Sequence, residues 1–258
     1  MKKINLSYMT WLEVKEIIKQ RPTILIPIGS TEAQNLHNPT GYDYLIAERL
    51  AESVAQKCNA VMLPTIPFGY SHVFADFPGT ILLRPETLRF IFEDIIKSLN
   101  RSGFDHLLFL NNHQPNHQPL TEVIYKLKEK YKILYTSIFP SRLAKSFFQD
   151  LFPNAKKVLN HGNEPSTSLI RYLYPELQRL DLFKTTKRPS HYKNFKLNPI
   201  SSFEYQGEEI YAFLNMSDIS KEGGWSNSKG DVEIGKTIFN KMVNFIVSFV
   251  CEFNKTNI

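Results

Sequence analysis

Two stretches of this chain gather side chains of the kinds that bind metals and move protons. One runs Gly29-Ser30-Thr31-Glu32-Ala33-Gln34-Asn35-Leu36-His37-Asn38-Pro39-Thr40-Gly41-Tyr42-Asp43, and the other Asn111-Asn112-His113-Gln114-Pro115-Asn116-His117. A third, Asn160 to Ser168, carries His161, Glu164 and Ser166; it precedes another helix and could fold over the same rim. Carboxylate oxygens and imidazole nitrogens together hold Zn²⁺, Mn²⁺ or Fe²⁺ and leave positions open for water. Such an ion lowers the pKa of bound water and polarises a carbonyl, which is what hydrolysis of an unactivated amide needs. A nearby unligated His or Glu can then move protons. Each residue also has a plainer role open to it. Glu32 could cap a turn, Asp43 could be only the N-cap of its helix, and His113 could bond a backbone carbonyl.

The elements that must position these stretches alternate along the chain. Thr10 followed by Glu13 is a capping-box pattern opening a helix over Trp11 to Lys19. An apolar run, Thr23 to Ile28, is of strand type, and Asp43 opens a helix with Leu45, Ile46, Leu50 and Val54 at helical spacing. Ala60 to Leu63 is a second strand. Pro85 starts a helix that ends near Arg101, with Gly103 as its stop. A third strand, His106 to Leu110, a helix from about Pro119 to Lys130, and a fourth strand, Ile133 to Ser137, follow. Strands that are apolar throughout and alternate with helices predict an α/β domain with a mostly parallel sheet covered on both faces. Ligands of such sheets bind beyond the carboxyl ends of the strands, where both polar stretches begin. Residues 175–225 read as an irregular elaboration, with short strands at Ser202 to Tyr205 and Glu209 to Leu214, so residues 1–258 form one domain.

Composition narrows the class. Hydrophobic residues at 42% and charged residues at 22% are ordinary for a soluble globular protein of 258 residues. Cys58 and Cys251 lie far apart and outside any Cys-x-x-Cys pair, which argues against a disulfide framework or thiolate zinc site. No apolar segment follows Lys2 and Lys3, so a secretory signal is not expected and the expected compartment is the cytoplasm. Ile238 to Phe253 is broken by Lys241, Asn244 and Glu252 and is too short to span a bilayer; it reads as a core-packed helix, with no membrane partner. The basic stretch Lys184, Lys187, Arg188, Lys193, Lys196 could meet nucleic acid or an anionic substrate. A solvated loop or subunit contact is the commoner explanation for such a patch, and a nucleic-acid surface is not expected. No Gly-x-Gly-x-x-Gly, Walker-type loop or Gly-x-Ser-x-Gly elbow follows any strand, which sets aside nucleotide-dependent redox chemistry and a Ser-His-Asp hydrolase.

Taken in order, these blocks resemble the signature of the creatininase (creatinine amidohydrolase) family. Ser30 to Asp43 aligns without a gap on a family loop of the form Ser-Thr-Glu-Gln-His-Gly-Pro-His-Leu-Pro-Leu-Gly-Thr-Asp. Phe77-Pro78-Gly79-Thr80-Ile81 matches a second block, Asn111 to Asn116 a third usually read Asn-Gly-His-Gly-Gly-Asn, and His161 to Ser168 a fourth of the form His-Ala-Gly-Glu-x-Glu-Thr-Ser. The resemblance spans roughly residues 10–250. It implies a flavodoxin-like three-layer α/β/α fold, often assembled as a hexamer, that hydrolyses small cyclic amides or formamides with metal ions at the sheet's carboxyl rim. By position, Glu32, Asp43 and His113 match one complete set of metal ligands, and His161 matches a residue given an acid/base role, with Glu164 beside it. Gln34 is then placed to orient substrate or water, Asn116 to hold a loop or contact substrate, and Ser166 to touch substrate. Trp225 could close over the site or simply pack. Tyr42 would shape the pocket.

The departures from that signature are specific. Gln34 stands where the family has a histidine, Ser166 where it has a glutamate, Gln114 and Pro115 where it has an acidic alternative, and Val73-Phe74 where a Glu-His pair often occurs. All fall on the second metal position. The expectation is therefore one divalent ion (Zn, Mn or Fe) serving a hydrolase of a small amide, cyclic amide or formamide C–N bond, with creatinine itself a doubtful substrate. The competing expectation is a fold of the same family whose site has decayed into a binding or scaffold function. His37, His72 and His117 are expected to be structural or surface histidines, although any could replace a lost ligand.

Overall fold

The computed structural model describes residues 3–152, 161–198 and 202–257. Asn160, which opens the third polar stretch, residues 153–159 and residues 199–201 of the elaboration lie outside them. The run Thr-Ile-Leu-Ile-Pro-Ile forms strand β1, Thr23–Ile28, buried along its whole length. It pairs in parallel with β2, Ala60–Met62, and with β3, His106–Asn111; β4, Leu134–Ile138, joins β3, giving the order β2-β1-β3-β4. Alternate residues of β1 and β3 face opposite sides. Leu25, Leu108 and Leu110 enter one core, and Ile24, Ile26, Leu107 and Phe109 enter the other. Two buried faces are why these strands read as unbroken apolar runs.

Helices cover both faces, completing the three layers. Helix α1, Trp11–Ile18, starts at the Thr10–Glu13 capping box and sets Val14, Ile17 and Ile18 against the second core. Helices α3, Pro85–Ser102, and α4, His117–Leu127, fill that face through Leu88, Phe92, Ile96, Leu120 and Val123. The opposite face takes α2, Tyr42–Lys57, α5, Pro140–Leu151, α6, Ser166–Leu173, and α7, Val232–Phe253. Helix α4 starts two residues before the expected Pro119, because a single 3-10 turn over Gln114–Asn116 feeds directly into it.

Three features differ from the sequence expectation. Asp43 is not an N-cap: α2 begins at Tyr42 with Gly41 as its cap, so the carboxylate sits inside the first turn. Residues 191–198 and 202–211 are more regular than expected, forming an antiparallel sheet of β5, His191–Tyr192, β6, Phe195–Leu197, β7, Ser202–Tyr205, and β8, Glu208–Tyr211. Stacking of Tyr192 and Phe195 on Phe203 supports the two short strands, a cross-strand effect that local patterning does not display. Helix α7 has 22 residues, so length no longer argues against a membrane span; burial of Ile238, Phe239, Met242, Val243, Ile246 and Val250 along one stripe shows it packed on the domain core.

Helices α6 and α7 meet at Gly235, where a Cβ would lie 2.0 Å from the Ser168 carbonyl oxygen. Gly235→Ala should therefore lower stability by about 1–3 kcal/mol, the usual range for overpacking, measured as a fall in the urea midpoint at unchanged m-value.

Candidate metal centre

The register Ile28↔Asn111 ends β1 and β3 at the same level, so the loops that follow them leave from one edge. The first loop passes tightly over the start of α2: a Cβ on Gly29 would lie 2.2 Å from the Tyr44 nitrogen. Its backbone is fixed by Glu32 N–H donating to Thr40 O (3.0 Å) and by Ile81 N–H donating to Thr31 O (3.0 Å). The second loop is fixed by Asn116. Its amide nitrogen donates to Gly29 O (3.0 Å) and its oxygen accepts from Tyr70 N–H (3.0 Å), joining three segments.

These constraints bring Glu32, Asp43 and His113 together, with one candidate donor atom from each within 4.8 Å of the others. All three are buried. His113 Nδ1 lies 3.0 Å from Asp43 Oδ2; its Nε2 lies 3.1 Å from Tyr70 O and 3.5 Å from Glu32 Oε2. Ser30 Oγ donates to the same Asp43 oxygen at 2.6 Å, and Asn112 Nδ2 donates to the Asp43 carbonyl at 3.1 Å. The first turn of α2 adds the partial positive charge of a helix N-terminus beside the Asp43 carboxylate.

Glu32 Oε2 is buried with no hydrogen-bond partner among the described residues. An orphaned carboxylate oxygen facing an imidazole and a second carboxylate is costly unless a cation or proton compensates it. The donor set of two carboxylates and one imidazole suits a borderline divalent ion such as Zn²⁺, Mn²⁺ or Fe²⁺, so the residues fit the metal. Without it the trio retains protons. Burial, with the Asp43 charge adding to it, holds the Glu32 carboxyl above the usual carboxylate range. Burial alone would lower His113, but the Glu32 and Asp43 carboxylates overcome it and hold the imidazolium above its ordinary pKa.

A cavity of about 500 Å³ opens over the trio, and its walls include Gln34, Tyr42, His161, Ser166 and Trp225. His161 stacks on Phe74 at 4.4 Å and donates from Nε2 to Ala33 O at 2.8 Å, which leaves Nδ1 as the ring nitrogen with a free lone pair. Burial lowers its pKa, so it is neutral near pH 7. Trp225 is both wall and packing residue: it is buried against Ala33, Phe74 and Met216. A second opening of about 500 Å³ reaches Glu32, His113 and His161 from the side of His72 and His117.

Two expected site residues stand elsewhere. Asn116 is fully buried beneath the loops and holds them, so its amide has no face left for substrate. Glu164 lines neither cavity; its Oε1 accepts from Ser228 Oγ at 2.6 Å, tying the His161 loop to the segment before α7. The spare histidines stay outside the metal group. His37 packs edge-on to Phe183, His72 stacks on Tyr70, and His117 faces Thr121. Asn112 of the second polar stretch, Arg188 of the basic stretch, and Phe139, Ser141 and Lys145, which were not anticipated, also line the main cavity. Three of them lie on or beside α5, whose signal was present as Pro140 followed by Ala144, Phe147 and Phe148 at helical spacing.

Comparison with known proteins identifies the family. The family profile of creatininase, described as creatinine amidohydrolase, matches residues 7–250. The creatinine amidohydrolase of Pseudomonas putida is 27% identical over 196 residues, covering 70% of this chain and 75% of that protein. The 3-dehydro-scyllo-inosose hydrolase of Thermotoga maritima is 33% identical over 106 residues, covering 41% of this chain and 34% of that one. A solved manganese creatininase superposes with a TM-score of 0.82 at 22% identity, covering 99% of this chain and 100% of that one, which shows a shared fold.

Because a metal must displace protons from Glu32 and His113, its affinity should fall as pH drops from 8 to 6, with protons released on binding. Calorimetric titration with Mn²⁺ or Zn²⁺ in buffers of different ionisation enthalpy measures both effects. His113→Ala should lose retained metal altogether.

Proposed function

The chain belongs to the creatininase family of hydrolases, and on that footing we propose that it hydrolyses the C–N bond of a small amide, cyclic amide or formamide using one divalent metal ion. The observation that carries this is the convergence of Glu32, Asp43 and His113, with an unpartnered buried oxygen on Glu32, at the floor of a cavity that His161 also lines. A divalent ion held there supplies Lewis acidity toward a carbonyl and makes water a nucleophile at neutral pH.

The protein's own residues supply the rest. His161 enters neutral, with its Nε2 proton committed to the Ala33 carbonyl. Nδ1 accepts the proton from attacking water and afterwards gives it to the departing nitrogen, the two halves of general acid–base catalysis. Phe74 stacks on one face of the ring and Trp225 packs with Phe74 on the cavity wall, apolar surroundings that strengthen polar interactions inside the cavity. Gln34, a neutral amide on the wall, orients the substrate carbonyl or water, and Ser166 offers a hydroxyl at the first turn of α6.

The single-metal proposal is supported by what surrounds the trio. Gln34, Pro115 and Ser166 are neutral, and among the described residues no other group of three His, Cys, Asp or Glu side chains comes close enough to hold an ion. The substrate is proposed to be a free small molecule, and homo-oligomeric assembly is proposed from the family resemblance; light scattering on the purified protein tests the latter.

Elemental analysis with anomalous scattering should find one ion per chain at Glu32, Asp43 and His113. The metal-loaded protein should turn over a member of a panel of lactams, formamides and cyclic ureas. His161→Ala should lower kcat by about 10²–10⁴-fold with metal content unchanged. Tight small-molecule binding with no turnover in any metal form would instead establish the decayed, binding-only alternative.

A further inference from the structure

The cavity over the metal centre has a charge imbalance that the hydrolytic chemistry does not use. Two of its walls present cations. Lys145 comes from the second turn of α5. Arg188 comes from the segment leading into β5, which is pinned by Thr186 N–H to Ser226 O at 2.8 Å and by Ser226 N–H to Thr186 Oγ1 at 2.9 Å. One Arg188 N–H group donates to Leu197 O at 2.9 Å, which fixes the guanidinium; its other donors have no hydrogen-bond partner among the described residues.

Neither cation forms an ion pair with a carboxylate among the described residues, although many surface Lys and Arg of this protein do. Residues 1–2, 153–160, 199–201 and 258 contain no Asp or Glu side chain, so the rest of the chain cannot supply one. The only carboxylates on the cavity lining are Glu32 and Asp43, whose two negative charges are balanced by the divalent ion proposed above. The wall then carries two uncompensated positive charges. The imbalance continues outward: an adjoining chamber of about 780 Å³ shares Lys145, adds Arg142 and has no carboxylate on its lining. Lys145 is exposed at the mouth, yet protein around its ammonium pulls its pKa below the usual lysine value.

We infer that Lys145 and Arg188 are a recognition pair for an oxyanion, carboxylate or phosphate, carried by the small amide substrate. The pair determines which amides are accepted and takes no part in bond cleavage. The inference rests on the hydrolase proposal for the existence of a substrate, while its own content is the charge that substrate carries. Arg188 offers a planar fork suited to bidentate oxyanion contact, and Lys145 offers a point charge from α5 on the same cavity lining. An oxyanion between them would satisfy both without touching the His161 proton path.

The test uses the full-length, metal-loaded protein and probe pairs differing only in charge: pyroglutamate against pyroglutamamide, N-formylglycine against N-formylglycinamide, and dihydroorotate against dihydrouracil. Inorganic phosphate and acetate, as competitors, distinguish the two oxyanion types. The charged member of at least one pair should bind about tenfold more tightly or better, a typical margin for charge-assisted contacts. Lys145→Met and Arg188→Gln should each remove most of that margin, with metal content and Tm unchanged, and Arg188→Lys should restore part of it. Loss of the margin in these variants separates recognition by the pair from ligation of the anion by the metal. Equal affinity within every pair, absence of binding by every charged probe, or a margin intact in the double variant overturns the inference. Turnover of neutral amides with no charge preference sinks it while sparing the hydrolase proposal; a charge preference with no turnover in any metal form does the reverse.

Discussion

Two carboxylates and an imidazole crowded into a protein interior are mutually unstable unless something positive joins them. Water cannot screen the repulsion between Glu32 and Asp43, because both are buried, and one oxygen of Glu32 has no hydrogen-bond partner among the described residues. The compensating species is a proton in the metal-free protein and a divalent cation in the loaded one. Much of the local structure can be understood as holding this unfavourable cluster in place. The strand pair sets its height, the start of α2 places Asp43, Ser30 and Asn112 bind it, and Asn116 ties the three surrounding segments together.

The same constraint explains why the flanking residues are neutral or apolar. Any further acid beside the trio would add repulsion, and any cation would compete with the metal. Gln34, Pro115, Phe74 and Trp225 satisfy both conditions. His161 fits the pattern as well, since burial keeps it uncharged, its ring stacks on Phe74 and its Nε2 bonds a backbone carbonyl. The free cations, Lys145 and Arg188, stand on walls contributed by α5 and the segment before β5, outside the ligand set. Charge in the site is thus layered: a compensated acidic floor below a basic wall.

Much of this was legible in the chain itself. The strand bounds of β1 were readable because its short run is nearly all apolar and rich in β-branched residues, as a strand buried on both faces requires. The helices α1 and α3 were readable from their ends, where a capping box and an N-terminal proline act within a few residues. The ligand set was legible through ordered blocks resembling a known family. Helix α5 was not read, although its spacing is regular, and with it went Ser141 and Lys145. The strands β5 and β6 were missed because their support is aromatic stacking across the sheet from Phe203.

By itself, then, the sequence determined the layered α/β class, the parallel sheet and the residue types capable of metal chemistry, because propensity, capping and periodicity act over a few neighbouring residues. Only the tertiary structure decided which of those residues meet. Asp43 and His113 are 70 positions apart and come within 3.0 Å because two parallel strands end in register. Asn116 and Glu164, equally plausible as site residues in sequence, are turned to holding loops by partners on other segments. Side-chain direction at a strand end is set by the loops that cross above it, and those crossings are long-range contacts that no local pattern encodes.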